Sequence, residues 1–367
     1  MNRPKILLGM LVSILFIYLI IWKPQLAAIL HGQTSLGQGL FGQSRIDFGR
    51  FIVIMQEVTI WPLIVCFFLT PLHVFIRAHR WKLMVEPVGK LTLYESFSLQ
   101  MVGYLANSVL PLRMGEVVRG VLLSDRLGCS KTSALGTVLV ERVVDVLTML
   151  IVTLVVATLF PFPKSVADGA IVFAIISSLG LVAVIYLGFA RDPFGGMVGK
   201  MIGAGTLGKK IREYGNKLVS GLAMLRATHH YTVISIESAL LWVVYALQGF
   251  LILYSFHFMR DYPMIGSAPI LATMVVLVLN AVGVSLPSAP GGVGAFHAVA
   301  IFGLSLFDVP TEPAAGFALV IHALTMVYYL TAGLPFMWHE GLRFGELKRI
   351  APEASPLSTK AHESKRD

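Results

Sequence analysis

Hydrophobic positions in this chain come in long unbroken runs. Ile6–Trp22, Phe51–Ile76, Ala134–Phe160, Ala170–Ala190, Val233–Phe256, Ile270–Leu286 and Ala314–Trp338 each reach or approach the roughly 20 residues with which a helix crosses a bilayer core. Alternation of the kind that marks strands is absent. The pattern predicts an all-α polytopic membrane protein with about seven transmembrane helices. Two stretches do not fit a plain span: "SVLPLRMGEVVRG" at 108–120 and "SLPSAPGGVG" at 285–294, where proline, glycine or charge interrupts apolar sequence.

Composition supports the membrane reading and excludes a soluble domain. Hydrophobic residues make up 56% of the chain and charged residues 13%, against about a quarter charged in soluble proteins. The net charge of +9 is concentrated in a few connections, which orients the chain because cytoplasmic loops retain Lys and Arg. The segment 191–231 carries Arg191, Lys200, Lys209, Lys210, Arg212, Lys217 and Arg226 and is expected inside. Its apolar residues Ile211, Tyr214, Leu218, Leu222 and Leu225 recur at helical spacing, which fits either a helix lying on anionic lipid or a solvated amphipathic linker. The 77–90 connection, with Arg77, Arg80, Lys82 and Lys90, and the tail from His339 are expected on the same side. Residues 23–50, 161–168 and 257–268 are assigned outside. Basic charge placed beside spans serves topology, so no nucleic-acid partner is expected.

This divides the chain into an anchor helix with an external loop (1–50), a first repeat (51–190), a basic cytoplasmic loop (191–231), a second repeat (232–338) and a polar cytoplasmic tail (339–367). Arg3 and Lys5 precede the first run as in a secretory signal, but no small-residue cleavage site follows Trp22, so it is read as a retained anchor.

The repeat is visible as "SALGTVLVERVVDVLT" (133–148) over "PAAGFALVIHALTMVY" (313–328), which superposes Ala134 on Ala314, Gly136 on Gly316, Leu139 on Leu319 and Val140 on Val320. A broken apolar stretch lies upstream of each copy. With 77–90 inside and 161–168 outside, 91–131 must start and end inside. With 191–231 and the tail inside, 268–312 must start and end outside. Two re-entrant helical hairpins entering from opposite faces make inverted-topology repeats, an arrangement found in secondary transporters.

Each tip has its own chemistry. Arg113, Glu116 and Arg119 are three residues apart, which predicts one face of a helix starting just after Pro111, while Glu141 and Asp145 share a face beside Arg142. Charge inside a bilayer is expensive. The cluster is therefore either a polar cavity for a charged headgroup or a self-neutralised network that pins helices. The second tip, with Pro290, Gly291, Gly292 and Gly294, exposes backbone N–H groups before a helix and suits a phosphate; equally, its glycines would permit close packing. His297 and His322 read as packed histidines rather than metal ligands. Cys66 and Cys129 suggest neither disulfide nor metal site. No nucleophile elbow, HExxH or P-loop spacing occurs, so no enzyme activity, cofactor or metal is expected.

"FIRAHRWKLM" (75–84), "NSVLPLRMGEVVRG" with "SALGTVLVERVVDVL" downstream, and "LPSAPGGVGAFHAV" (286–299) resemble the lysylphosphatidylglycerol synthase transmembrane, or flippase-like, family. The resemblance implies movement of a phospholipid, hopanoid or polyprenyl-type lipid between leaflets of the cell inner (cytoplasmic) membrane. It implies substrate contacts at Arg113, Glu116, Arg119, Glu141, Arg142, Asp145, Gly291 and Gly292, and hinge roles for Pro111, Gly115, Pro290 and Gly294. Where the family often carries a glutamate after P-G-G-x-G this chain has His297, and the soluble aminoacyl-transferase domain of the bifunctional members is missing, so synthesis of the lipid is not implied. The alternative is a non-transporting scaffold for a lipid-modifying or lipid-synthesising enzyme.

Overall fold

In a computed structural model the residues described are 11–353, apart from 12–13, 16, 32, 43, 111–112, 190–228 and 285–289. Regular structure among them is helical, apart from a single antiparallel bridge joining Trp22 and Ser44. Residues 17–21 are helical, and the short helices Leu26–Leu30, Leu36–Phe41 and Phe48–Glu57 follow before the main body. The principal helices are α1 (Ile60–Val85), α2 (Leu93–Val109), α3 (Met114–Leu127), α4 (Lys131–Leu159), α5 (Lys164–Phe189), α6 (Tyr231–Ser255), α7 (Pro269–Val284), α8 (Ala295–Ser305), α9 (Thr311–His339) and α10 (Phe344–Glu353). Among the described residues, α1, α4, α6 and α9 are long and apolar enough to cross a membrane. The chain is a multi-pass membrane protein.

Boundaries differ from the hydrophobic runs for local reasons. The run Phe51–Ile76 is broken at Val58, whose backbone is extended, and α1 begins at Ile60 with Pro62 in its first turn, where a missing N–H is harmless. Arg77, Arg80 and Lys82 do not end α1. It continues to Val85 and stops before Pro87, so the expected 77–90 connection is in fact short and begins at Glu86. Gly128, at φ +62, closes α3, and the Ser130 hydroxyl accepts from the Ser133 N–H at 3.0 Å to open α4. The polar tail contains α10, whose Leu347 is fully buried. The basic segment 191–231 lies outside the described residues as far as position 228, as does the tail beyond Glu353.

The described residues form two compact units. The first gathers residues up to Leu72, Asn107–Arg113 and Val243–Ala332; the second gathers His73–Ala106, Met114–Trp242 and the chain from Gly333. In the second unit Trp81, Met84, Leu99, Leu123, Val138 and Ile234 form one apolar core. In the first, Phe256 and Phe258 pack on Phe317.

Each unit contains an antiparallel helical hairpin. In the second unit Gly103 approaches the Gly115 carbonyl, Gln100 meets Arg119 and Glu95 meets Arg126, so residues ascend along α2 as they descend along α3. In the first unit Gly283 of α7 lies against Val299 of α8, and Gly303 lies against Val276 and Leu279. At these crossings the missing side chain is what lets the helices approach. A Cβ on Gly103 would stand 3.3 Å from the Gly115 carbonyl oxygen, and one on Gly283 only 2.5 Å from a Val299 methyl.

Each hairpin is followed by a helix of 29 residues, α4 and α9, and both helices begin and end in the register of the sequence alignment: Lys131 matches Thr311 and Leu159 matches His339. The helices that precede the hairpins also agree, at 26 residues for α1 and 25 for α6.

Close crossings of this kind are sensitive to bulk. Gly103→Leu and Gly283→Leu are each expected to destabilise the protein by about 1–3 kcal/mol through overpacking, whereas Gly37→Ala, with open space around its Cβ position, is expected to be neutral. Thermal unfolding in detergent measures all three.

Candidate polar network and glycine tip

Charge in the middle of an apolar helix has to be matched where it stands, because hydrocarbon supplies no water. Asp145 is the middle residue of α4, with 14 residues on either side, or about 21 Å of helix to each end at a rise of ~1.5 Å per residue. Glu141 is one turn earlier on the same face. An ionised group at the bilayer centre costs about 2.5–3.5 kcal/mol when alone. Neither carboxylate is alone.

Glu141 has no exposed surface. Its Oε2 accepts from Arg119 of α3, and its Oε1 accepts from Arg77 of α1 at 3.0 Å, with Arg142 at 3.5 Å and Arg80 at 3.7 Å. Asp145 accepts from Arg77 and Arg80 and lies 3.3 Å from Arg142. Neutral groups complete the cage: Arg119 also donates to the Gln100 carbonyl oxygen, and Arg80 donates to the Ser238 hydroxyl at 2.9 Å. The Arg119 guanidinium lies 4.3 Å from the ring centre of Trp81, whose Nε1–H donates to Thr137 at 3.2 Å. A cation over an indole face is attracted by the ring's quadrupole, so Trp81 helps to hold Arg119 in place.

The network has a closed side and an open side. Arg80, Arg119 and Glu141 expose 1%, 3% and 0% of their side chains, whereas Asp145, Glu116 and Arg142 expose 23%, 26% and 31%. Arg142 is the cation of the open side, 3.6 Å from Glu116 and 3.3 Å from Asp145. Counted together, Arg77, Arg80, Arg119 and Arg142 face Glu116, Glu141 and Asp145, an excess of one positive charge when all are ionised.

These positions redistribute the expected site. Arg113 is not on a helical face with Glu116 and Arg119: it precedes α3, is exposed, and adopts φ +54. Glu116 pairs with Arg142 rather than with Arg113 or Arg119. Arg119, expected as a phosphate ligand, has its terminal nitrogens engaged by Gln100 and Glu141. Glu141, Arg142 and Asp145 do come together. Gly115 is buried at the α2 crossing, and Pro111 lies outside the described residues. Sequence reasoning missed Arg77 and Arg80 as members, together with Trp81, Gln100 and Ser238. The signal was available: two arginines three residues apart, within the reach of one long apolar helix that no breaker ends before Pro87.

At the second tip Pro290–Gly292 forms a single 3-10 turn in which Gly291 has φ +71; Gly292 and Gly294 follow with φ +78 and +88. This left-handed region is open to glycine and strained for other residues. Gly294 is the N-cap of α8 and has no side chain with which to cap it. The rings of His297 and His322 stack at 4.8 Å, and Phe296 meets His322 edge-on at 5.3 Å. Among the described residues no group of three His, Cys, Asp or Glu side chains is arranged to hold a metal ion.

Within the network, removal of charge should be graded by burial. Glu141→Gln leaves the buried Arg80 and Arg119 and the largely covered Arg77 short of a counter-charge and is expected to cost about 3–5 kcal/mol of stability. Glu116→Gln removes one partly exposed contact and is expected to cost about 1 kcal/mol or less. Thermal unfolding of the two variants in detergent makes the comparison.

A family model described as the lysylphosphatidylglycerol synthase TM region matches residues 6–333. No curated protein matches the chain significantly, and no solved structure does. The match takes in every helix from the start of the body to most of α9, including both hairpins and the whole polar network. The chain belongs to the lysylphosphatidylglycerol synthase transmembrane family.

Proposed function

We propose that this chain is a lipid flippase or lipid-transport factor that passes the headgroup of a membrane lipid through a polar site and leaves the lipid's bonds unchanged. The observation that carries the reading is the open side of the network. Arg142 and Asp145, near the middle of α4, and Glu116 of α3 beside them keep 31%, 23% and 26% of their side chains uncovered. Ionised groups so placed cannot face acyl chains; they need water or a polar ligand. A purely structural network would have no reason to leave one side uncovered, and its excess of positive charge favours a headgroup carrying a phosphate.

Arg142 is the headgroup contact in this reading, while Arg77, Arg80 and Arg119 hold the cage around Glu141. The planar guanidinium of Arg142 offers paired donors to phosphate oxygens. Its present contacts, at 3.3–3.6 Å, are long for charge-assisted hydrogen bonds and open to exchange.

The hairpins supply the second part of the proposal. Their helices have 17 and 14 residues in one case and 16 and 11 in the other, short of the roughly 20 that a crossing requires. With each pair returning to its own side, and with α5, 26 residues long, taken as a third crossing beside α1 and α4, the second set of helices is inverted relative to the first. In this arrangement the inner ends of α1 and α3, the segment 191–231 and the tail face the cytoplasm of an inner-membrane protein. The scaffold alternative draws on 191–231 and the tail, and no observation among the described residues favours it.

Two measurements test the proposal. In proteoliposomes, Arg142→Gln is expected to fold and to slow leaflet exchange of a labelled anionic phospholipid by about tenfold to a hundredfold, the equivalent of about 1.5–3 kcal/mol for a lost hydrogen bond to a charged group; Arg142→Lys should fall between it and the parent. Exchange unchanged in a folded Arg142→Gln protein sinks the headgroup role. In a Cys129→Ser background, which leaves only the buried Cys66, Lys131→Cys and Ser305→Cys should react with an impermeant thiol reagent from opposite sides of the membrane. Labelling from the same side contradicts the inverted arrangement.

A further inference from the structure

The register that matches Lys131 to Thr311 also matches Arg142 to His322, so the position that holds the exposed cation of the first set holds a histidine in the second. His322 is 9% exposed, and its Nε2 has no hydrogen-bond partner among the described residues. A buried polar nitrogen left unpaired is destabilising and calls for an explanation. This nitrogen points at the glycine tip: it lies 3.8 Å from the Cβ position of Gly291.

What surrounds it suits an anion. Gly291, Gly292 and Gly294 all have positive φ, and such a turn directs successive backbone N–H groups into one concavity. Helix α8 starts at Ala295 and runs for 11 residues without a side-chain cap, so its first N–H groups and the positive end of its dipole are presented at the same tip. Among the described residues, no atom lies within 4 Å of the Cβ position of Gly292. The nearest side chain to the Cβ position of Gly291 is Met326, whose Sδ stands 3.1 Å away; an unbranched thioether can shift aside. His297, stacked on His322, holds the ring in place. In the tautomer protonated at Nε2, or as imidazolium, His322 is a donor.

We infer that the Gly291–Gly294 turn, the N-terminus of α8 and His322 Nε2 form a binding site for a phosphate group, as a lipid phosphodiester or as free phosphate. The site stands on its own geometry. It draws on the flippase reading only in the equivalence of His322 with Arg142, and a phosphate can bind here whether or not lipid is moved.

The test is a binding titration in detergent, read by thermal stabilisation, with three probes: inorganic phosphate, short-chain phosphatidylglycerol and the matching uncharged diacylglycerol. Stabilisation by both phosphate-bearing probes and not by diacylglycerol is expected. A response to phosphatidylglycerol alone assigns the group to lipid, and a response to inorganic phosphate alone assigns it to a free anion; either supports the site. His322→Phe keeps an aromatic ring and removes the nitrogen, and should weaken binding about tenfold or more, the equivalent of ~1.4 kcal/mol. His322→Gln, which returns an amide donor, should recover part of that loss, and Arg142→Gln should retain a phosphate response. Should His322→Phe fail to fold, Gly292→Ala, which strains the turn without a clash, is expected to weaken binding in its place. No response to either phosphate-bearing probe, parental binding in folded His322→Phe or Gly292→Ala, or complete loss of binding in Arg142→Gln overturns the inference.

Discussion

The polar half of this molecule is organised around one carboxylate. Glu141 has no exposed surface and sits in a helix that crosses the membrane, so its charge exists only because Arg119, Arg77, Arg142 and Arg80 surround it. Three of those arginines come from helices other than its own or from a different hairpin arm, and α1, α3 and α4 are thereby held at fixed depth and rotation relative to one another. Gln100 adds α2 and Ser238 adds α6. In a low-dielectric interior such a network behaves as a unit: completed, it is stable, and with one member missing the remaining buried charges are left without compensation.

Apolar association could not supply this arrangement, because lipid tails are as apolar as leucine and give helices little reason to leave them. Close backbone approach provides the rest. Gly103 against Gly115, and Gly120 against Leu135, bring α2, α3 and α4 together at the points where side chains would keep them apart. The first unit reaches a tighter crossing through Gly283, 2.5 Å from a Val299 methyl, with no buried Asp, Glu, Lys or Arg among its described residues. The two hairpins share an outline and differ in their tips: the first carries Arg113 in a left-handed conformation just before a charged helix, and the second carries three left-handed glycines before an uncharged one.

Membership of the lysylphosphatidylglycerol synthase transmembrane family links the chain to membrane lipids. The second tip of this chain carries a histidine pair. The ring of His297 lies nearly parallel to that of His322. A carboxylate at the start of α8 would repel a second anion; a pair of imidazoles does not.

The sequence alone determined the membrane class, the four apolar helices long enough to cross, the places where apolar sequence breaks, and the family. All of these follow from features local in sequence: apolar runs long enough to cross a bilayer, breakers that stop them, and a motif order. It also brought Glu141, Arg142 and Asp145 to notice, because residues one turn apart share a face whatever they pack against. Only the tertiary structure decided the partners. Arg77 and Arg80 read as loop charges because a cluster of basic residues at the end of an apolar run has the same pattern whether it meets water or a carboxylate 60 residues on. Arg119 read as a ligand for the converse reason, since its two acceptors, Gln100 and Glu141, lie about 20 residues away on either side in sequence. The orphaned nitrogen of His322 was equally hidden. Whether a buried polar atom has a partner is a property of everything packed around it, and that is fixed only when the helices are in place.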